Sequence, residues 1–280
     1  MRCPKAPWLM SVLVTGLIVL VPAWRRVPIE VDLALVLAVD VSTSMDPDEQ
    51  NLQRQGYVEA FNSPAVHEAI RTGALGRIAV TYIEWAGAYP RFQSVVVPWT
   101  MLESPADGIA FADRLARAPV NRAAGTSISE AIGLGMALLS SDRVVAARQV
   151  IDISGDGSNN QGRLVTEARD EAVARGITIN GLPITLKRPD RRENATLEAY
   201  YRDCVIGGPG AFMISVRDRK QFLTETRSKI VREIAGLTEP DWRVQLVGGQ
   251  TLTDCDTSES LWDDFAPEPL TPVLDLKREL

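Results

Sequence analysis

One histidine, three cysteines and no excess of positive charge narrow the chemistry of this chain before any motif is considered. A serine hydrolase has one imidazole base available, His67. It lies in Ser63-Pro64-Ala65-Val66-His67-Glu68, the start of a surface helix, where a solvated or capping role accounts for it. No Gly-x-Ser-x-Gly elbow accompanies any serine. Neither Asn180-Gly181 nor Gly207-Gly208-Pro209-Gly210 is followed by the Lys-Ser/Thr of a phosphate loop, so both read as turns. A formal net charge of -6 removes nucleic acid and anionic lipid surfaces from the expected partners. The apolar run over residues 8–21 is short for a bilayer-spanning helix, which takes about 20 apolar residues.

That run is preceded by Arg2 and Lys5 and followed by Val21-Pro22-Ala23, the pattern of a secretory signal peptide over residues 1–23. The alternative is an uncleaved anchor flanked by Trp24, Arg25 and Arg26, and membrane contact is expected only in that case. Either way the remainder is exported, periplasmic or secreted, and cleavage moves the formal charge from -6 to -8 by removing Arg2 and Lys5. Export leaves Cys204 and Cys255 as an even pair in an oxidising compartment. They read as a disulfide or as two buried thiols, with the bridge the simpler expectation. Two Cys and one His fall short of the four ligands of a structural zinc site.

Residues 31–236 alternate between strand-like and helix-like patterns. Residues 31–39 are apolar except for Asp32, as in a strand buried on both faces of a parallel sheet. A polar helix over 47–61 follows, with Leu52, Gln55, Val58 and Ala60 as its inner face. Residues 77–85 and 94–100 read as two strands forming a hairpin or edge pair. A helix over 104–117 presents Ile109, Ala112, Leu115 and Ala116. Ser127 and Glu130 form a capping-box pattern ahead of a buried helix with Ile128, Ile132, Gly135, Leu138 and Leu139. Strand 149–154, a helix over 164–173 ended by Gly176, strand 177–184, a helix over 193–203 and strand 211–216 come next. Asp218 with Gln221 then caps a final helix bearing Phe222, Ile230 and Ile234. The fold class is therefore α/β: a doubly wound, mostly parallel sheet with helices on both faces, whose ligands sit beyond the carboxyl ends of the strands. Residues 237–280 read as an acidic, proline-containing tail, with Trp242, Leu246, Trp262 and Phe265 available to pin part of it to the domain.

Three polar clusters fall at strand ends: Asp40-Val41-Ser42-Thr43-Ser44, Gly125-Thr126-Ser127 and Ser154-Gly155-Asp156-Gly157. Each alone has an ordinary explanation as a helix cap or a turn. Together on one rim they offer carboxylates and hydroxyls to a hard divalent cation, which prefers oxygen ligands; Mg²⁺ does so with near-octahedral geometry and several retained waters. The alternation of Asp40, Ser42 and Ser44 lets three side chains of one loop turn to one point, while Thr126 and Asp156 approach from neighbouring strands.

This set resembles the metal-ion-dependent adhesion site of von Willebrand factor A domains, and the resemblance extends over residues 31–236. It implies a Rossmann-like fold, an ion (Mg²⁺, or Mn²⁺ or Ca²⁺) held directly by Ser42 and Ser44 and by Thr126 directly or through water, and Asp40 and Asp156 acting mainly through water. It also implies an adhesion or scaffold module without catalytic activity, in which a protein partner's acidic residue completes the coordination shell. Residues 204–212 (CVIGGPGAF) further resemble an exported bacterial subgroup catalogued only as a domain of unknown function. The rival reading is a metal-dependent phosphatase-like hydrolase with Asp40 as nucleophile. It lacks a second carboxylate two residues on, because Ser42 stands there.

Overall fold

The computed structural model describes residues 28–140, 144–186, 193–236, 245–246, 253 and 255. The expected signal segment and most of the acidic tail, including Trp242, Trp262 and Phe265, lie outside the described residues. Strands β1 (Ile29–Asp40), β2 (Ile78–Trp85), β3 (Gln93–Leu102), β4 (Val144–Gly155), β5 (Thr178–Pro183), β6 (Phe212–Met213) and β7 (Gln245–Leu246) form one sheet in the order β3-β2-β1-β4-β5-β6-β7. The five inner strands run parallel, and β3 and β7 pair antiparallel at the edges. The doubly wound α/β architecture expected from the alternating pattern is the one observed.

Helices α1 (Pro47–Asn62), α2 (Pro64–Arg71), α3 (Pro105–Arg117) and α7 (Phe222–Ala235) cover one face. Helices α4 (Ile128–Leu139), α5 (Val165–Ala174) and α6 (Glu193–Tyr200) cover the other. β1 separates two apolar layers, since Leu33, Leu35 and Leu37 enter the first and Ala34, Val36 and Ala38 the second, all at most 3% exposed. Burial of each such leucine contributes about 1.5–3 kcal/mol. α4 packs closely because Gly135 has no side chain: a methyl there would lie 2.7 Å from Ile151 Cδ1. The chain order reverses between β1 and β4, so this sheet has its topological switch point, the usual place for a ligand, at the carboxyl ends of those two strands.

Local signals explain most helix boundaries. Asp46 and Glu49 cap α1 reciprocally, Ser104 and Asp107 do the same for α3, and Ser127 accepts from the Glu130 N–H at α4. At the final helix the expected Asp218–Gln221 capping box does not form. Asp218 accepts from the Lys220 N–H in a tight turn, and the helix begins at Phe222. The faces of α1 and α3 also differ from expectation. Gln55, Ile109 and Ala116 are exposed, while Gln53, Arg54, Tyr57 and Phe111 are buried. The inner face of α1 is polar because it packs on charged groups of the sheet. Arg54 reaches buried Glu84 on β2 as well as the carbonyls of Leu115 and Ala118 that end α3.

The helix expected over 193–203 changes pitch at Tyr201, where a single π-helical turn, Tyr201–Val205, carries Cys204. Cys204 is disulfide-bonded to Cys255, with the sulfurs 1.99 Å apart. Asn180-Gly181, expected as a turn, lies inside β5, where Asn180 Oδ1 accepts from the Phe212 N–H. Strand 211–216 shrinks to Phe212–Met213, with Val216 in a separate bridge to Ile184.

Candidate metal centre

The three polar clusters meet at the switch point. Asp40 is the last residue of β1 and wholly buried; its Oδ1 accepts from the Ser42 N–H at 2.7 Å, which turns the loop back over the strand end. Ser42 Oγ and Ser44 Oγ lie 2.7 Å apart, and Ser44 Oγ donates to Asp156 Oδ1 at 2.5 Å. Asp156 directly follows β4, and a methyl on Gly157 would sit 3.7 Å from Thr126 Oγ1. Asp40, Ser42, Ser44, Thr126 and Asp156 thus share one rim, with Asp40, Ser42 and Thr126 buried, Ser44 exposed and Asp156 half-buried.

Hydrogen bonds among the loops fix this arrangement. The Ser42 loop pairs with Ala123, the Thr43 N–H donating to the Ala123 carbonyl at 3.0 Å, and Arg122 donates to the Met45 carbonyl at 2.7 Å. Gln50 donates to the Ser42 carbonyl, and Gln53 to Ser154 Oγ at 2.8 Å. The run Asn159-Asn160-Gln161 ties the Asp156 turn to the Thr126 loop. Asn160 Oδ1 accepts from the Thr126 N–H at 2.8 Å, the Asn160 N–H donates back to the Thr126 carbonyl at 2.8 Å, and Asn159 Oδ1 accepts from Ser129. Gly125 reaches φ +87°, and a methyl on it would meet Gln161 Nε2 at 2.6 Å, so glycine is required there. Gly125 and Ser154 belong to the clusters read from the sequence, whereas Gln50, Gln53, Arg122, Asn159, Asn160 and Gln161 do not. The signal of the last three is a polar run immediately after Asp156-Gly157, which alone reads as a loop.

The electrostatics are unbalanced at one atom. Asp40 Oδ2 is buried and has no hydrogen-bond partner. Burial, and then the charge of Asp156, push the Asp40 carboxyl up to about 7, against the hydrogen bonds from Ser42 and from the Asp156 backbone N–H. A buried acid that resists ionisation for want of a counter-charge favours a cation beside it. Among the described residues no three His, Cys, Asp or Glu side chains converge, so the rim offers two carboxylates and three hydroxyls. That donor set fits Mg²⁺ or Mn²⁺ with part of its hydration shell kept, and it does not fit a closed zinc site. His67 is remote from the rim: its Nε2 lies 2.7 Å from the Phe61 carbonyl, on the helix pair leading back to the amino ends of the strands.

A family model described as protein of unknown function (DUF1194) matches residues 30–238. The chain belongs to that family. No curated protein matches it in sequence. Among solved structures, the pilus adhesin SpaC from Lactobacillus rhamnosus GG aligns with a TM-score of 0.54 at 13% identity, covering 75% of this chain and 31% of that one. Proximal thread matrix protein 1 from the mussel byssus aligns with a TM-score of 0.53 at 10% identity, covering 74% and 49%. This chain therefore spans about a third and about half of those longer chains. At such identities the likeness shows the fold, which is that of a von Willebrand factor A domain.

Proposed function

We propose that this DUF1194 protein is an exported binding module that holds a carboxylate of a protein partner through a divalent ion. Ser42, Ser44 and Thr126 are the direct ligands in this reading, and Asp40 and Asp156 hold the ion's waters. The domain at residues 31–236 carries the site, residues 1–23 direct export, and residues 237–280 form the appended tail. The observation that carries the proposal is the wholly buried carboxylate of Asp40, which faces no cation among the described residues, beside the Ser42–Ser44–Asp156 chain. An ion with charge +2 meets the two acids, and its open position is the place for an acidic side chain of the partner. The bound ion supplies electrostatic attraction, and the chain's own residues supply its orientation. The one imidazole of the chain, that of His67, faces the Phe61 carbonyl and does not accompany the ion, and in this reading the module acts by adhesion and not by turnover.

Titration calorimetry of the mature domain with Mn²⁺ tests this. One site is expected, and a Ser42→Ala, Ser44→Ala variant that keeps the parent circular dichroism should bind at least 100-fold more weakly after losing two direct oxygen ligands. Parent-like affinity in that variant overturns the assignment. Metal-dependent hydrolysis of phosphate esters by the parent would favour the hydrolase reading instead.

A further inference from the structure

A second orphaned oxygen lies under the same rim. The hydroxyl of Tyr201 is wholly buried without a hydrogen-bond partner, as is Asp40 Oδ2. A methyl placed on Gly155 would lie 2.8 Å from Asp40 Oδ2 and 3.1 Å from the Tyr201 hydroxyl, so the two oxygens are within about 6 Å of each other. A separation near that upper limit is what one water making two ordinary hydrogen bonds would span. Gly155, at the end of β4, keeps the gap open, since any side chain there would fill it.

The position of Tyr201 is determined from several sides. Gly181 on β5 makes room for its ring, since a methyl there would meet Tyr201 Cδ1 at 2.9 Å. The ring stands edge-on to Tyr200, with centroids 6.3 Å apart. Tyr200 itself reaches the rim, its hydroxyl accepting from the Asn159 N–H at 3.2 Å. Both tyrosines belong to the segment where α6 passes into the π-helical turn, and three residues on, Cys204 fastens that turn to Cys255. The change of helical pitch lets two successive tyrosines serve one site.

We propose that Tyr201 is a positioning residue of the metal centre, its hydroxyl joined through one water to Oδ2 of Asp40. The hydroxyl holds the inner oxygen of Asp40 and leaves the outer one, already oriented by the Ser42 N–H, to organise the ion's waters. This inference rests on the proposed ion site. It extends that site from the rim loops into the disulfide-fastened turn beneath them.

The test is a Tyr201→Phe substitution, which removes one oxygen from a cavity that already fits the ring. Two readouts separate the outcomes. Mn²⁺ affinity by calorimetry should fall about tenfold while circular dichroism is unchanged. Without metal, the shift in melting temperature caused by Tyr201→Phe should disappear in an Asp40→Ala background, because contacting groups couple and independent ones add. If the hydroxyl is merely stranded, Tyr201→Phe should raise the melting temperature equally in both backgrounds and leave Mn²⁺ affinity unchanged, which overturns the proposal. Should the parent bind no Mn²⁺, the ion site itself fails, and the melting comparison still decides the Asp40–Tyr201 contact.

Discussion

Asp40 and Asp152 lie on neighbouring strands of the same sheet, both wholly buried, yet their surroundings differ in one respect. Asp152 faces a resident cation: Lys229, projecting from α7, bonds both Asp152 and Glu233, and Asn180 also donates to Glu233. Asp40, at the strand end, has hydrogen bonds from Ser42 and the Asp156 backbone and, among the described residues, no cation. Burial raises Asp152, and Lys229 draws it partly back; burial, then Asp152, push Glu233 up to about 7, with Lys229 again acting against. Burial works to lower Lys229 itself, and the two acids more than offset it. The triad carries its own cation and fastens α7 to the sheet, although Asp152 Oδ2 and Glu233 Oε2, like Asp40 Oδ2, are buried without a hydrogen-bond partner. In the proposed reading the rim is its open counterpart, where the cation comes from solution.

Removing the resident cation should give the largest effect. Lys229→Met leaves two acids buried without it, and urea denaturation should show a loss of about 3–5 kcal/mol that added Mg²⁺ does not restore. Recovery with Mg²⁺ would mean that the two regions are not distinct.

The pH dependence of the metal-free protein should come next. Asp40 has an ordinary value of 3.8 and a folded value of about 7, so the folded protein keeps a proton that the unfolded chain releases. Its contribution to stability is complete below pH 3.8 and is lost as pH rises through 7, a change on the order of 4 kcal/mol. Glu233 shifts in the same direction, so the measurement is the difference between parent and Asp40→Asn across pH 4–8. The variant should be the more stable at pH 8, and parallel curves would contradict the assignment.

Loosening the rim indirectly should cost least. Asn160→Ala removes the acceptor for the Thr126 N–H and should lower stability by about 1 kcal/mol. Mn²⁺ affinity should drop several-fold, whereas Lys229→Met, in whatever fraction stays folded, should leave it near the parent value.

The contrast also explains what the sequence discloses. Of the proposed ligands, Asp40, Ser42 and Ser44 stand out because their oxygens alternate along one short loop, Asp156 follows from its place after β4, and Thr126 from its place just before the Ser127 cap of α4. Parallel pairing was legible in β1 and β4 as apolar runs that no surface strand would carry. The triad is not legible in the sequence because a Lys and a Glu on a helix with many charged residues carry no local sign of burial. Their place on the buried face shows only when Phe222, Thr226, Ile230 and Glu233 are taken together at helical spacing. Tyr201 was illegible for a different reason: an α-helical reading of 193–203 cannot foresee the π-helical turn that brings both tyrosines toward the rim. The polar inner face of α1 was missed because Gln53 and Arg54 are buried by partners on β4 and β2, which local periodicity does not report.

Among the described residues no cation faces the charge of Asp40, and in the proposed reading a divalent ion matches it. Urea denaturation with and without Mg²⁺ at 100 times its dissociation constant, at pH 5 and pH 8, for parent and Asp40→Asn, tests it most directly. The account predicts that Mg²⁺ stabilises the parent by about 2.7 kcal/mol at pH 8. At pH 5, and in Asp40→Asn at either pH, little or no stabilisation is expected. Equal stabilisation of both proteins, or none of the parent at pH 8, would contradict it.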